Sequence, residues 1–190
     1  KNVRKQMQTE FDDGHVEIVQ SPEVPENIPK WVLPLHIVFH PNKPTKPRCC
    51  HDGKSKTDNI CLNDQLLTGP DMLNSLLGVL FRFRREKVAV SADIKGFFHQ
   101  VYVDEKDAHV FRYWWYMDEK CEIPCLCELK VHVFGAKSSP TVCTFALRHH
   151  GKVMRHEISE ETFWGILKSC YVDDFLGSYK NTETARRVRI

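Results

Sequence analysis

The sequence predicts an α+β fold with one sheet backed by helices. Three observations carry that reading. Leu73, Leu76, Leu77, Leu80 and Phe83 recur at helical spacing. Lys87–Asp93 reads as a buried strand, LysValAlaValSerAlaAsp. Tyr171-Val172-Asp173-Asp174 lies between the short apolar runs Ile166-Leu167 and Phe175-Leu176, as the tip of a hairpin over 166–179. At 190 residues the chain holds one domain or two small subdomains, and its 42% hydrophobic residues are enough for a core.

In chain order, residues 1–30 are mixed and polar, and Pro22, Pro25 and Pro29 mark a loop. Residues 31–39 read as a strand interrupted by Pro34. Residues 40–60, with Pro41, Pro44, Pro47 and Gly53 among many bases, read as a mobile loop or hairpin. The leucine-rich helix is expected over 71–85, with Pro70 near its start. After the 87–93 strand comes a short helix, Ile94 to Gln100. Residues 101–103 and 109–117 are β-branched and aromatic, hence strands. Residues 121–134 are a strand pair or loop, divided by Pro124. Ser138-Ser139-Pro140 is a helix start, a Ser cap with Pro in the first turn, and that helix is expected to end at Gly151. Thr182-Glu183 opens a last helix that runs into Ile190.

Composition narrows the class. Mean hydropathy is −0.41 and no apolar run approaches a membrane span, so no membrane partner is expected. The first residues, Lys1-Asn2-Val3-Arg4-Lys5-Gln6, lack a leader pattern and an initiating Met, so the sequence reads as an excerpt from something longer. Net charge is only +2, but the bases cluster: Lys43, Lys46, Arg48, Lys54 and Lys56; then Arg82, Arg84, Arg85 and Lys87; then Arg186, Arg187 and Arg189. Such patches suit a phosphate-bearing partner as well as a solvated face. The eight cysteines, in a chain without a secretory signal, read as reduced thiols of an intracellular protein.

The residues that carry chemistry are acidic. Asp93 ends a strand and, alone, reads as the N-cap of the next helix. Asp173-Asp174 alone reads as a polar turn. Together they form a different object, because a strand-terminal Asp and a hairpin-tip Asp 80 positions later can meet at one sheet edge. Carboxylates on adjacent strand ends repel each other unless a cation lies between them. They can hold two Mg²⁺ ions roughly 3.5–4 Å apart, the arrangement of nucleotidyl transfer. Phe98, five positions after Asp93, is either a core aromatic beside Phe97 or a ring pressed on the sugar of a nucleotide. Gly135-Ala136-Lys137-Ser138-Ser139-Pro140 turns into a capped helix whose N–H groups suit a phosphate or a template backbone. Arg48, with Lys43 and Lys46, can fold over a triphosphate. Cys121, Cys125, Cys127 and His132 offer soft metal ligands, at a spacing that matches neither a zinc finger nor a zinc knuckle.

Three segments stand in the order of reverse transcriptase motifs A, B and C: Val90–Val101 (ValSerAlaAspIleLysGlyPhePheHisGlnVal), Phe134–Thr141 (PheGlyAlaLysSerSerProThr) and Tyr171–Asp174. With Leu62–Pro70 and Arg112-Tyr113-Trp114-Trp115, they make the chain resemble the reverse transcriptase of Bel/Pao-type LTR retrotransposons, from about Gly14 to its end. The resemblance implies the fingers and palm of a right-hand polymerase, with an antiparallel palm sheet backed by helices. It places fingers at 1–68 and 105–137, and palm at 69–104 (motif A) and 138–190 (motifs B and C).

What the resemblance implies for residues is specific. Asp93, Asp173 and Asp174, with the backbone of Ile94, hold two Mg²⁺ ions, which Mn²⁺ can replace. Phe98 is the gate against a ribose 2′-hydroxyl. Arg48, Lys46, Lys43, Phe134 and Gly135 surround the incoming dNTP, with Lys43 or Lys46 standing for the fingers lysine. Lys137, Ser139, Pro140, Tyr171 and Val172 meet an RNA or DNA template with its primer. Implied partners are the thumb, ribonuclease H and integrase parts of a pol polyprotein. The implied location is intracellular, in a cytoplasmic virus-like particle with a nuclear stage. Three departures stand out. Phe134 replaces the Gln of retroviral enzymes, and Cys49-Cys50-His51 with Lys54-Ser55-Lys56 replace a more apolar strand. The sequence given also ends soon after motif C, so thumb, connection, ribonuclease H and part of motif D are expected to lie outside it. A polymerase core is therefore expected, probed against two alternatives: a non-catalytic remnant that binds nucleic acid, and a zinc-stabilised interaction module.

Overall fold

The computed structural model describes residues 2–20 and 30–188. Helix α1 (Asn2–Asp12) and strand β1 (Val16–Ile18) precede a hairpin of β2 (Leu35–His40) and β3 (Lys43–His51), and a small one of β4 (Lys56–Thr57) and β5 (Ile60–Cys61). Then follow α2 (Leu62–Gln65), α3 (Leu76–Phe83), β6 (Val88–Asp93), a 3-10 turn at Phe97–Gln100 and α4 (Glu105–Ala108). The chain continues through β7 (Arg112–Trp115), β8 (Cys125–Leu129), α5 (Ser139–Val153), α6 (Glu160–Lys168), β9 (Cys170–Tyr171), β10 (Asp174–Tyr179) and α7 (Thr182–Arg187). All pairings between these strands are antiparallel, as an α+β plan requires. The single sheet expected is instead four among the described residues, two of three strands and two of two. The loop expected at Pro22, Pro25 and Pro29, and the chain end at Ile190, lie outside the described residues.

Two compact units divide the chain. The first comprises residues 1–68 and 98–139. Its sheet runs β1-β8-β7, with β8 central. Met7, Val16, Phe111, Tyr113, Cys127 and Leu129 fill the core. Helix α1, read from sequence as part of a mixed polar stretch, forms because Val3, Met7 and Phe11 recur every four residues and reach that core. Of the two readings of residues 40–60, loop or hairpin, the structure has the second: they supply the turn and second strand of the β2–β3 hairpin and most of the β4–β5 one, and β3 continues through Cys49, Cys50 and His51 in register with Ile37, His36 and Leu35. Residues 101–103 contribute only a single bridge, Tyr102 to Val131, and 121–134 only one strand. An ionic cluster is buried here. Arg112 (4% exposed) faces Glu128 (2% exposed) across the β7–β8 ladder, and its Nε donates to Glu128 Oε2 at 2.7 Å. His109 Nδ1 and Lys130 Nζ approach the same carboxylate at 2.7 and 2.9 Å. Burial alone would raise the Glu128 pKa, but these three partners outweigh it and hold it down at about 2.

The second unit comprises residues 69–97 and 140–190. Its sheet runs β6-β10-β9, with β10 central and α3, α6 and α7 against it. Phe175 is fully buried, and Gly165 and Gly177 lie against its ring: a Cβ at either would come within 2.9 and 2.7 Å of Phe175 atoms. Three expectations change here. The leucine-rich helix begins at 76 rather than 71, because Asp71 Oδ1 takes the Leu73 N–H in a turn and Ser75 caps Gly78 N. Ile166-Leu167 are not a hairpin strand but the end of α6, which Ser159 caps and Glu160-Glu161 favour in its first turn. Helix α5 continues past Gly151, where the missing side chain admits Ile166, 3.2 Å from a would-be Cβ.

Candidate active site

The edge of the β6-β10-β9 sheet gathers the three aspartates. Strand β6 ends at Asp93 and β10 begins at Asp174, and the two are direct cross-strand partners. Such partners project to the same face with Cβ atoms about 5 Å apart, and like charges so placed are destabilising. Asp173 lies in the two-residue turn between β9 and β10, and its carbonyl accepts the Ile94 N–H at 2.9 Å. The segment following Asp93 is thereby tied to the turn that carries Asp173. Asp93 and Asp174 are exposed and Asp173 half-buried. Their carboxylate oxygens do not draw together into one group of three within 4.8 Å.

The turn itself is strained. Val172 has φ +57°, in the left-handed region where a β-branched residue is an outlier. Tight turns with positive φ at the first central position normally carry Gly there. Strain of this kind, of order 1–3 kcal/mol, persists only where the surroundings over-determine it. Those surroundings are visible. Asn74 Nδ2 donates to the Cys170 carbonyl at 2.8 Å and Arg148 Nη2 donates to Asn74 Oδ1 at 3.2 Å. Arg82 Nε donates to the Lys168 carbonyl at 3.1 Å. On the other side of the turn, buried Phe175 anchors the strand next to Asp174. Asn74, Arg82 and Arg148 are positioning residues that sequence reading missed; lone polar residues on helices and loops give no signal of the carbonyl they will meet.

The first unit holds the other expected residues. Lys46 and Arg48 are exposed on one face of β3, with Pro47 between them buried; the Lys43 side chain lies outside the described residues. Gly135 has φ +102°, and a Cβ there would come within 2.4 Å of the His51 carbonyl oxygen, so only Gly fits. Asn63 clamps the segment from both ends: its Nδ2 donates to the Gly135 carbonyl and its Oδ1 accepts the Lys137 N–H, each at 2.8 Å. It too was missed as a site-shaping residue, although it lies in the Leu62–Pro70 segment. Phe98 is 7% exposed and meets Phe134 (47% exposed) edge to face, centroids 4.6 Å apart. Lys137 and Pro140 are exposed. Ser139 is 1% exposed, with its hydroxyl 3.2 Å from His132 Nδ1, so it locks the helix start and does not present a hydroxyl to solvent.

The cysteine-based zinc alternative finds no support among the described residues. Cys121 is exposed, Cys127 is wholly buried with its thiol toward the Cys125 carbonyl, and His132 is engaged with Ser139. Alternation and Pro124 keep these residues on separate parts of the strand and its loop. Among the described residues, Cys121, Cys125, Cys127 and His132 form no metal-ligating group.

Comparison with known proteins is consistent with this geometry. The chain superposes on the foamy viral protease-reverse transcriptase in complex with double-stranded DNA with a TM-score of 0.67 and 16% identity, over 96% of this chain and 26% of that one. A prototype foamy virus protease-reverse transcriptase mutant gives 0.67 and 14%, over 98% and 21%. The foamy viral enzyme in complex with an RNA/DNA hybrid gives 0.62 and 16%, over 97% and 21%. The chain thus has the fold of retroviral fingers and palm, and spans about a quarter or less of these proteins. No curated protein matches the sequence significantly. The family model described as reverse transcriptase (RNA-dependent DNA polymerase) matches residues 41–189, all three motifs included. The chain belongs to the reverse transcriptase family.

Proposed function

We propose that this chain is the polymerase core of a Bel/Pao-type LTR retrotransposon enzyme, adding deoxynucleotides to a primer 3′-hydroxyl under the direction of an RNA or DNA template. The observation that carries the reading is the register that sets Asp93 opposite Asp174, with Asp173 in the adjoining turn bonded to Ile94. The first unit is then the fingers and the second the palm. The donor set is all oxygen and anionic, which fits hard divalent cations, Mg²⁺ or Mn²⁺, better than softer ones. Asp93, Asp173 and Asp174, with the Ile94 backbone, would hold them. Bound there, two such ions supply activation of the attacking hydroxyl and neutralisation of the leaving pyrophosphate.

The chain's own residues do the rest. The Ile94–Asp173 hydrogen bond ties the backbone after Asp93 to the turn that carries Asp173, so that less reorganisation is needed when charge develops. Arg48 offers a planar fork to phosphate oxygens, with Lys46 as a mobile charge beside it. The Phe98–Phe134 pair forms an apolar wall suited to excluding a 2′-hydroxyl, since a polar group pressed on it finds no partner. Lys137 and the segment fixed by Asn63 suit a template backbone.

The test is primer extension, on the chain and on a longer form continuing past residue 190. Mg²⁺-dependent extension that falls to background in Asp93→Asn and Asp173→Asn, with unchanged melting temperatures, is the expected result. Undiminished extension by Asp173→Asn removes the metal role. Salt-sensitive binding of primer–template with no extension by the longer form identifies a non-catalytic nucleic-acid binder instead.

A further inference from the structure

We propose that the first unit carries a second metal site, independent of the aspartates: Glu10, His15 and His99 form a three-donor site for a zinc-class transition-metal ion, with a further position open to water or an external ligand. One ligand atom from each of the three lies within 4.8 Å of the others, and they are the one such group of three among the described residues. Glu10 Oε2 is 3.0 Å from His15 Nδ1 and 3.2 Å from His99 Nδ1. The edge of a tetrahedron with zinc–ligand bonds of about 2.0 Å is roughly 3.3 Å, so two of the three edges already have the length an ion requires. The donors are two imidazoles and a carboxylate, a set that suits Zn²⁺ and disfavours Mg²⁺.

The backbone accounts for the convergence. Glu10 lies in the last turn of α1, and Gly14 at φ +73° reverses the chain so that His15 returns to it. His99 comes from the 3-10 turn at Phe97–Gln100, and its ring meets that of His15 edge to face, centroids 5.3 Å apart. The outer shell is present too: Gln6 Nε2 donates to Glu10 Oε1 at 2.8 Å, leaving Oε2 to face the imidazoles. Side-chain exposures of 12% for Glu10, 16% for His15 and 21% for His99 leave a narrow solvent path rather than a flat acidic surface. His51 adds a further buried imidazole within electrostatic reach of Glu10 and His99, and its Nε2 has no hydrogen-bond partner. Burial pushes the Glu10 carboxyl up, but hydrogen bonds from His99, His15 and Gln6 more than offset this and hold it at about 2.

Titration of the metal-free chain with ZnCl₂ by calorimetry, in excess Mg²⁺, tests the site. The expected result is one zinc per chain, with proton release that tracks the buffer's ionisation enthalpy. Affinity should fall at least a hundredfold in Glu10→Gln and in His15→Gln, and ten- to a hundredfold in Gln6→Ala. No stoichiometric zinc overturns the proposal, and leaves the triad a hydrogen-bonded cluster. Equal affinity in Glu10→Gln also overturns it, placing the ion on thiols. Should Glu10→Gln fail to fold, Co²⁺ loading of the unaltered chain decides. A four-coordinate visible spectrum without a thiolate charge-transfer band supports imidazole–carboxylate ligation, and a thiolate band overturns it. Neither readout depends on polymerase activity.

Discussion

In the unit centred on β8, charge is buried and matched: Glu128, 2% exposed, meets Arg112, His109 and Lys130 within 2.9 Å. In the unit centred on β10, charge sits at an exposed sheet edge with like facing like, and what lies beneath it is apolar, Phe175 wedged between Gly165 and Gly177. The first arrangement fixes register, since a buried ion pair is costly to misalign. The second sets Asp93 opposite Asp174 in solvent, where like charges across a ladder are destabilising. Like charge paired across an exposed strand end, beside a strained turn and above a rigid support, sets this edge apart from the structural interior of the first unit.

Removing the apolar support should have the largest effect on stability. Phe175→Ala is expected to cost about 4 kcal/mol, near the top of the usual range, because helix and strand backbones around the ring cannot collapse into the space. Urea denaturation measures it; a loss under about 1 kcal/mol would mean the support is softer than the glycine contacts imply. Breaking the buried ionic cluster comes next. Glu128→Gln should cost about 3 kcal/mol, because Arg112 is left buried without its counter-charge. The same residue sets a pH signature. Glu128 and Glu10 are both held at about 2, below their ordinary 4.5. A depressed folded-state pKa gives stability that is complete above the unfolded value and is lost as pH falls through the window from 4.5 toward about 2. Urea midpoints across that window should drop for the unaltered chain and drop less for Glu128→Gln.

Two smaller changes sharpen the contrast at the edges of each unit. Asn63→Ala should cost about 1–2 kcal/mol, because the Gly135 carbonyl and the Lys137 N–H both lose a partner. Substrate affinity should weaken with it if that segment lines the template path; unchanged template binding would confine Asn63 to a structural role. Val172→Gly should stabilise the chain by about 1 kcal/mol, as relief of positive φ exceeds the entropy cost of Gly. A rise in melting temperature with a fall in extension would show that the strain is tied to activity.

Much of the second unit was legible in the sequence because its signals are local and periodic. Val88–Asp93, the helix start at Ser139-Pro140 and the Asp173-Asp174 turn each announce themselves within a few residues. The start of α3 was not legible, since an Asp71 side chain competing for a backbone N–H looks like helix in a leucine pattern. The end of α6 was misread because Ile166-Leu167 serve a helix and a strand equally well on two residues. Helix α1 was lost because three apolar residues in eleven are a faint stripe until a core receives them. At the candidate site, the aspartates could be named in advance, but Asn63, Asn74 and Arg148 could not. Asn63 and Asn74 act on carbonyls 72 and 96 positions away and Arg148 on the Asn74 side chain 74 positions away, pairings set by topology alone.

The pairing of Asp93 with Asp174 has a further consequence for how this segment can vary. Side chains along a strand alternate between faces, so a slip of one position would turn one carboxylate away from the other. Point substitutions at Tyr171 or Val172 leave that phase intact, whereas one residue inserted between Asp174 and Phe175, or between Ala92 and Asp93, moves one carboxylate out of step with the other. The pairing should therefore tolerate changes of letter far better than changes of length at these two junctions, where the buried Phe175 still fixes the rest of the strand.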